Sequence, residues 1–366
     1  MKKLVSLVLT LALIAACSSS DGDPTEVADN FDRSAMLVNW ADNIIIPSYE
    51  AYASAVTDLK VSTDAFNAQP DLTTLESLRG EWLNAYLAFQ RVSMFEIGPA
   101  ETISLRNYTN IYPADGGEIE NFVASGDYNL ELPSTIDAQG FPALDYLLFG
   151  TANTDAEILA KLSTAGYADY LSALVNRLQS LADQVLSEWK GGYRDTFVAN
   201  SGSTASSSVN KLVNDYLFYY EKSLRAGKIG IPAGVFSGSP LSDRVEGLYS
   251  EVYSKQLFNA ALDATIDFFR GKHFGSATTS ESIEHYLQYL SELNSTDDLS
   301  ISILNQFEAV RAVADQLDDN FFAQVESDNS KMLQVYDELQ KNVILMKVDM
   351  FQKLNVRIDY VDADGD

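Results

Sequence analysis

The sequence predicts an all-α fold, because apolar residues recur at three- or four-residue intervals through most of the chain after residue 30. The clearest stripe runs from Tyr170 to Trp189 and covers one side of a helix of about six turns. No segment alternates convincingly like a strand. Residues 356–360 come closest, and they are expected to form a short strand at the end of the chain.

The predicted helices are bounded by residues that start or stop helical structure. Pro47 is expected to kink or interrupt the first helix, and Gly98 with Pro99 ends the next long one. Pro142 stands in the first turn of its helix, where proline is tolerated. The helices predicted in order are 31–56, 75–95, 118–124, 141–150, 170–189, 212–224, 248–269, 283–293, 299–317 and 332–354.

Two stretches rich in glycine and proline, residues 100–139 and 225–244, have little periodicity and are predicted to be mostly loop. Loops of this length in a compact domain usually form a lid or the wall of a cleft. They fall at similar places in two helical halves. We therefore predict two helical-bundle domains related by duplication, residues 31–160 and 161–366.

The charge of the chain excludes one broad class of partner. Its 366 residues include 25 basic and 52 acidic side chains, for a formal net charge of −27. A field of that sign repels nucleic acid and anionic lipid surfaces and attracts cations. Binding to DNA or RNA is therefore not expected.

The first residues resemble a secretion signal. Lysines occupy residues 2–3, an apolar run too short for a membrane span fills residues 4–14, and IAAC at residues 14–17 ends in Cys17. This is the pattern of a bacterial lipobox. We predict a lipoprotein signal peptide over residues 1–17.

Cys17 is the only cysteine, so no disulfide can form within the chain, and its expected role is to carry a lipid. Residues 18–30 are predicted to be a flexible tether. Ser18, directly after the cysteine, favours retention at the outer membrane, on either its periplasmic or its outer side. The alternative is an ordinary signal peptide with an incidental cysteine.

Motifs for metal or nucleophilic chemistry are missing from the sequence. Two histidines, His273 and His285, and no HExxH or CxxC arrangement exclude a histidine-rich zinc site. The ESIEH stretch at residues 281–285 fits a one-histidine carboxylate site or, with more weight, an exposed helix start. The acidic residues 359–366 resemble a calcium loop without EF-hand spacing, which favours a solvated tail. No GxSxG elbow or phosphate-binding loop is found.

Three acidic residues stand in or beside apolar helices: Asp145, Glu96 and Glu246. A carboxylate buried there is costly unless it meets a cation, a hydrogen-bond donor or a metal. Two interpretations stay open, pairing with arginine and convergence on an oxygen-rich metal site. The candidate arginine partners are Arg91, Arg106, Arg225 and Arg244.

Six stretches together resemble the imelysin-like proteins of bacterial envelopes, in the family's order and over nearly all of the chain after the signal peptide. These stretches are residues 82–99, 111–113, 140–150, 229–232, 245–250 and 356–366. The resemblance implies an α-helical fold of two bundle-like domains related by duplication, with a cleft between them. It also implies a connection to iron uptake, and the founding member of the family is a metallopeptidase.

The family signature GxHxxE places a histidine and a glutamate at i and i+3 on one helix face, where both can bind a metal. The corresponding positions here are Gly140, Pro142 and Asp145. Proline has no ligand atom, so the family's metal chemistry is expected to be lost. The residues expected near this motif in the cleft are Glu96, Glu246 and Tyr249.

These features together predict a non-catalytic lipoprotein of the cell envelope that binds a ligand in connection with iron or metal uptake. No catalytic residue is assigned, and an iron or calcium ion is the only cofactor considered. The expected partners are the membrane, through the lipid, and a protein of the envelope or of iron uptake. The alternative is a metal-dependent peptidase with a rearranged site of Asp145, Glu96, Glu246 and His285, and a structural surface subunit is a third reading.

Overall fold

A computed structural model describes residues 29–360 of the protein. The α-helices of this part of the chain are α1 (Arg33–Asn39), α2 (Ile46–Ala68), α3 (Leu72–Gln90), α4 (Pro99–Thr102), α5 (Leu105–Thr109), α6 (Gly116–Ser125), α7 (Gly140–Asp145), α8 (Asp155–Leu162), α9 (Ala165–Glu188), α10 (Arg194–Ala199), α11 (Ser208–Phe218), α12 (Ser254–Phe269), α13 (Ile283–Asn294), α14 (Leu299–Ala314), α15 (Phe321–Ile344) and α16 (Phe351–Lys353).

Several of these helices continue directly into π-helix, in which the backbone hydrogen bonds span five residues. The π-helical segments are Trp40–Ile45, Tyr146–Gly150, Trp189–Tyr193, Tyr219–Gly230 and Leu345–Met350. Short 3₁₀-helices cover Pro133–Ala138 and Ser242–Arg244. Each π turn holds more residues than an α turn, so it shifts which side chains face the core.

The all-α prediction is confirmed, since the described residues contain no β-strand and a single isolated bridge between Lys272 and Thr279. The strand predicted at residues 356–360 is wrong. The backbone N–H of Arg357 donates to the side chain of Asn210, and that of Asp359 donates to Asn214, each at 3.1 Å. Side chains of α11 thus satisfy this segment in place of a partner strand.

The core is built from helices that lie far apart along the chain. α2 packs against both α3 and α9, and α7 also lies against α9. Aromatic rings fill the space between them: Tyr86 stacks on Phe141 with ring centroids 4.6 Å apart, and Tyr52 lies 5.6 Å from Phe89. Burial of these large rings is a main source of stability.

Later in the chain, α15 packs against α14 and against the Tyr219–Gly230 segment. The described residues from Phe31 onward belong to one compact unit. In it, α9 contacts helices that precede residue 160. The division into 31–160 and 161–366, the duplication and the cleft between domains stay predictions.

The two stretches predicted to be loops are more helical than expected. Residues 100–139 contain α5, α6 and a 3₁₀-helix, and of these the prediction named only the short helix now seen as α6. Asp115 caps α6 by accepting the backbone N–H of Glu118 at 2.9 Å. In the second stretch, π-helix continues through Gly227 to Gly230, although glycine has a low helix propensity.

One helix begins later than predicted. Apolar spacing predicts a helix from residue 248, whereas α12 begins at Ser254, and the preceding residues form turns. In these turns the backbone N–H groups of Tyr249 and Ser250 donate to the side chain of Asp145. The predicted signal peptide, Cys17, most of the tether and residues 361–366 lie outside the described residues. Within residues 29–360, no helix is both long and apolar enough to cross a membrane.

The first testable prediction concerns Gly140 at the start of α7. Its φ is +77°, and a Cβ added there would collide with the backbone carbonyl of Thr109 at the end of α5. Gly140→Ala should lower the free energy of unfolding by about 2–4 kcal/mol, measured by urea titration. Gly80→Ala is the matched control, because a Cβ at Gly80 in α3 meets open space and should stabilise by up to about 1 kcal/mol. Equal stability of the two variants would contradict this account.

Candidate functional site

A buried ion pair lies at the centre of the candidate site. Glu246 stands in the turn region before α12, and Lys228 comes from the Tyr219–Gly230 segment. The Lys228 ammonium contacts Oε2 of Glu246, and the two side chains are only 4% and 3% exposed. Charges buried this deeply persist only when each meets an opposite charge or several hydrogen bonds.

Three further side chains complete the surroundings of Glu246. Gln90, the last residue of α3, donates from Nε2 to Glu246 Oε1 at 3.1 Å and accepts from Lys228 Nζ at 2.9 Å. Asn110, directly after α5, donates to the same carboxylate oxygen at 2.7 Å, and the Tyr86 hydroxyl lies 3.0 Å from it. The carboxylate is therefore surrounded by donors and is fixed in one orientation.

Burial shifts the pKa values of the ionisable side chains in this cluster. Burial lowers the pKa of Lys228, and the neighbouring carboxylate of Glu246 acts in the opposite direction. Burial also raises the pKa values of Tyr86 and Tyr112, with the charge of Glu246 adding to the effect. Both phenols therefore stay protonated and can serve as hydrogen-bond donors.

Asp145, at the end of α7, is buried and holds a turn in place. Its Oδ2 accepts the backbone N–H of Tyr249 and its Oδ1 accepts that of Ser250, each at 2.9 Å. Burial raises the pKa of Asp145 to about 7, although these hydrogen bonds pull it down. The ring of Tyr249 packs edge-on against Tyr146 at 5.0 Å and directly over Gly150. Asp145 therefore ties the end of α7 to the turn that carries Glu246.

Glu96 lies in a second charged cluster. The backbone N–H of Arg106 donates to Glu96 Oε2 at 2.9 Å, and the guanidinium lies 3.5 Å from the same oxygen. Arg106 also contacts Asp215 of α11 at 3.0 Å, and Asp215 accepts the backbone N–H of Glu96 at 2.6 Å. Burial raises the pKa of Glu96 to about 7, because desolvation outweighs the attraction of Arg106.

The three acidic residues selected from the sequence thus occupy different hydrogen-bond networks. Glu96 meets Arg106, as the pairing interpretation considered, whereas Glu246 meets a lysine and Asp145 meets backbone amides. The other candidate arginines pair elsewhere: Arg91 with Asp267, Arg225 with Glu221 and Arg244 with Asp243. Within residues 29–360, no group of three or more histidine, cysteine, aspartate or glutamate side chains is placed to hold a metal ion.

The ESIEH stretch forms a helix start. Ser282 caps α13 by accepting the backbone N–H of His285 at 3.2 Å, and its hydroxyl also lies 3.0 Å from Nδ1 of that histidine. His273 lies 2.9 Å from the hydroxyl of Ser280. Neither histidine lines the pocket described next.

A pocket of about 580 Å³ connects the two charged clusters. Its walls come from the end of α3, from α5 and the turn after it, from α11 and from the Tyr219–Gly230 segment. Gln90 and Lys228 bring the first cluster to this pocket, and Glu96, Arg106 and Asp215 bring the second. The side chain of Asp145 supports the pocket from behind, through the turn near Glu246, and does not line it.

Comparison with known proteins supplies the decisive observation. The family model described as imelysin, a peptidase family, matches residues 45–344. The chain belongs to the imelysin family. This confirms the resemblance drawn from the sequence, while the assignment of Pro142 and Asp145 to the family's motif positions stays a prediction.

Individual imelysin relatives are distant. Iron-regulated protein A of Synechococcus elongatus is 25% identical over 173 residues, which cover 46% of this chain and 45% of that protein. The match thus spans less than half the length of that relative. An imelysin-like protein from Psychrobacter arcticum has a similar structure, with TM-score 0.70 and 18% identity over 90% of this chain and 97% of that one.

A second structure, from Parabacteroides distasonis and assigned as an iron-regulated protein A precursor, has TM-score 0.74 and 16% identity, with the same shares of the two chains covered. At these identities the structural similarities show that the imelysin fold is shared.

Several residues of the two charged clusters could not be predicted from the sequence. Lys228, Gln90, Asn110 and Asp215 lie in segments predicted to be loop or ordinary amphipathic helix. One signal pointed to Lys228, because it stands between glycines and isoleucines in a stretch with little other polarity. The others carry no such signal, because their polar partners lie more than a hundred residues away.

The second prediction tests the buried ion pair. Lys228→Met should lower the free energy of unfolding by about 3–5 kcal/mol, because it leaves the Glu246 carboxylate buried without its cation. Glu246→Gln should also destabilise. The double variant should lose less than the sum of the two single losses, since no unpaired charge remains. Urea unfolding of the four proteins measures the coupling, and strictly additive losses would contradict a direct pair.

The third prediction concerns pH. Because the folded-state pKa of Glu96 is raised to about 7, above the ordinary 4.5, the folded state binds the proton more tightly than the unfolded state. The contribution of Glu96 is therefore most favourable at acidic pH and is lost as pH rises towards 7. Glu96→Gln should remove about 1–3 kcal/mol of this decline between pH 4.5 and 7.

Unfolding midpoints measured across that pH range provide the comparison. Glu76→Gln is the control, because Glu76 lies exposed on α3 and its replacement should leave the pH profile of the wild type unchanged. A Glu96→Gln profile with the full wild-type slope would show that Glu96 does not titrate in this way.

Proposed function

We propose that this imelysin-family chain is a non-catalytic binding protein of the bacterial envelope that acts in iron acquisition. The observation that carries the proposal is the state of the motif. Pro142 offers no ligand atom, and both carboxylate oxygens of Asp145 are engaged by backbone N–H groups of the turn at Tyr249 and Ser250. The motif holds structure in this chain and presents no free donor set.

Hydrolysis of a peptide bond requires an activated water, held by a metal or by a general base. The buried carboxylates that could act as a base are each engaged: Glu246 by Lys228 and three neutral donors, and Glu96 by Arg106. Their geometry favours a rigid, charged wall. The pocket of about 580 Å³ lies in the size range of small-molecule sites, which supports a binding role.

The connection to iron rests on family membership and on relatives whose names include the words iron-regulated protein A. The connection to the envelope rests on the N-terminal sequence. IAAC at residues 14–17 supplies Cys17 for a lipid anchor, and the serine after it favours the outer membrane. In this arrangement the lipid fixes the chain to the membrane while the folded unit binds its ligand. An envelope or iron-uptake protein then receives the ligand from this chain.

The fourth prediction tests both halves of this proposal. Full-length protein purified in detergent should not cleave casein or insulin, with or without added Zn²⁺. In the source bacterium, deletion of the gene should lower accumulation of radioactive iron under iron limitation. Cys17→Ser should move the protein from the membrane fraction to the soluble fraction, because the thiol that carries the lipid is gone.

Two results would overturn the proposal. The first is cleavage that a chelator stops and that Asp145→Ala abolishes without a change in the circular dichroism spectrum, which would establish the metal-dependent peptidase alternative. The second is unchanged iron accumulation in the deletion strain. An unchanged fractionation of the Cys17→Ser variant would reject the lipid anchor alone.

A further inference from the structure

The pocket reverses the charge balance of the protein. Over the whole chain, acidic side chains outnumber basic ones by 52 to 25. Among the residues that line this pocket, four are basic and two are acidic. The basic ones are Arg106, Lys222, Lys228 and Arg244. Such a concentration of positive charge in an acidic protein marks a place where anions are held against the long-range field.

The two acidic lining residues, Glu96 and Asp215, leave the pocket with an excess of basic side chains, and both orient Arg106. Glu96 and Asp215 contact the same guanidinium, at 3.5 and 3.0 Å. Burial raises the pKa values of both carboxyl groups, that of Glu96 to about 7. Lys228 is oriented in a similar way by Glu246 behind the wall.

The remaining two basic residues stand nearer to solvent. Arg244 has a side chain that is 51% exposed and contacts Asp243 at 3.6 Å, an exposed pair of the kind that contributes little. Lys222 is half-buried on the same π-helical segment as Lys228. The pocket thus has a fixed cationic wall inside, formed by Arg106 and Lys228, and two further cationic side chains nearer to solvent.

A neutral donor adds a second, independent indication of a ligand. Tyr219 is 1% exposed and lines the pocket, and its hydroxyl has no hydrogen bond of normal geometry, although Ser93 lies close by. A buried hydroxyl without a partner is destabilising until a ligand or another group accepts from it. Its pKa is raised by burial, so it stays protonated and available to donate. Arg106 lies over the ring of this tyrosine at 5.5 Å.

We propose that this pocket binds a small multivalent oxyanion, a molecule with two or more carboxylate or phosphate groups. The inference rests on the proposed binding function and names its ligand class. Arginine and lysine with neutral N–H and O–H donors are the groups that recognise carboxylate and phosphate oxygens. One anionic group would sit against the inner wall with the Tyr219 hydroxyl, and a second would meet Lys222 and Arg244. An iron ion would enter as a complex with such an anion.

The fifth prediction tests this site by isothermal titration calorimetry with citrate and with inorganic phosphate, on full-length protein in detergent. Citrate should bind the wild type with a dissociation constant below about 1 mM at low ionic strength, and more weakly as salt is added. The double variant Lys222→Gln with Arg244→Gln should bind at least about tenfold more weakly. Tyr219→Phe should also weaken binding while leaving every charge in place.

The matched control removes the same two charges elsewhere. Lys190 and Arg311 form exposed pairs with Glu50 and Asp263, outside this pocket, so Lys190→Gln with Arg311→Gln should bind citrate within about twofold of the wild type. Phosphate binding equal to citrate binding would define a single-anion site and overturn the multivalent assignment. Ferric citrate, as a third probe, should also bind the wild type, and failure to bind it would overturn the entry of iron as a complex with the anion.

Two other outcomes overturn the proposal. Neither probe binds the wild type below about 1 mM, or the control variant loses as much affinity as the pocket variant, which would indicate net charge alone. These failures are distinct from failure of the proposed function. Peptidase activity with anion binding intact would reject only the non-catalytic role, whereas loss of iron accumulation in the deletion strain without anion binding would reject only the ligand class.

Discussion

The structure depends most on the buried contact between Lys228 and Glu246. Each charge is removed from water, so each needs the other and the amide of Gln90, and Glu246 also accepts a hydrogen bond from Asn110. Those partners come from the end of α3, from the turn after α5, from the π-helical segment and from the turn before α12. Four segments far apart in sequence are therefore held in one arrangement, and three of them, the end of α3, the turn after α5 and the π-helical segment, also form walls of the pocket.

The turn that carries Glu246 is held from two sides. Asp145 accepts backbone N–H groups a few residues after Glu246, and the ring of Tyr249 covers Gly150. α7 and the charged pocket are thus parts of one unit, even though the side chain of Asp145 does not line the pocket. The link between them is the Asp145 carboxylate, which accepts the backbone N–H groups of Tyr249 and Ser250.

The sequence predicts the helices better than the site. α9 follows from its apolar stripe because its core contacts fall on one face at regular spacing. Asp145 and Glu246 could be selected because a carboxylate in apolar surroundings requires a partner. The partners themselves could not be predicted, since Gln90 is 156 residues from Glu246 and nothing local connects them. The sequence predicts a loop at Lys228, because the residues of a π-helix do not follow the three- or four-residue spacing from which helices are predicted.

The π-helical segment from Tyr219 to Gly230 has a consequence for how such a pocket could arise in a lineage. Relative to an α turn, each π turn holds about one residue more, and removal of one residue rotates everything after it by about 100°. Loss of a single codon before Lys228 would therefore swing Lys228 away from Glu246. A related chain without that residue would lack the contact that fixes the charged wall of the pocket.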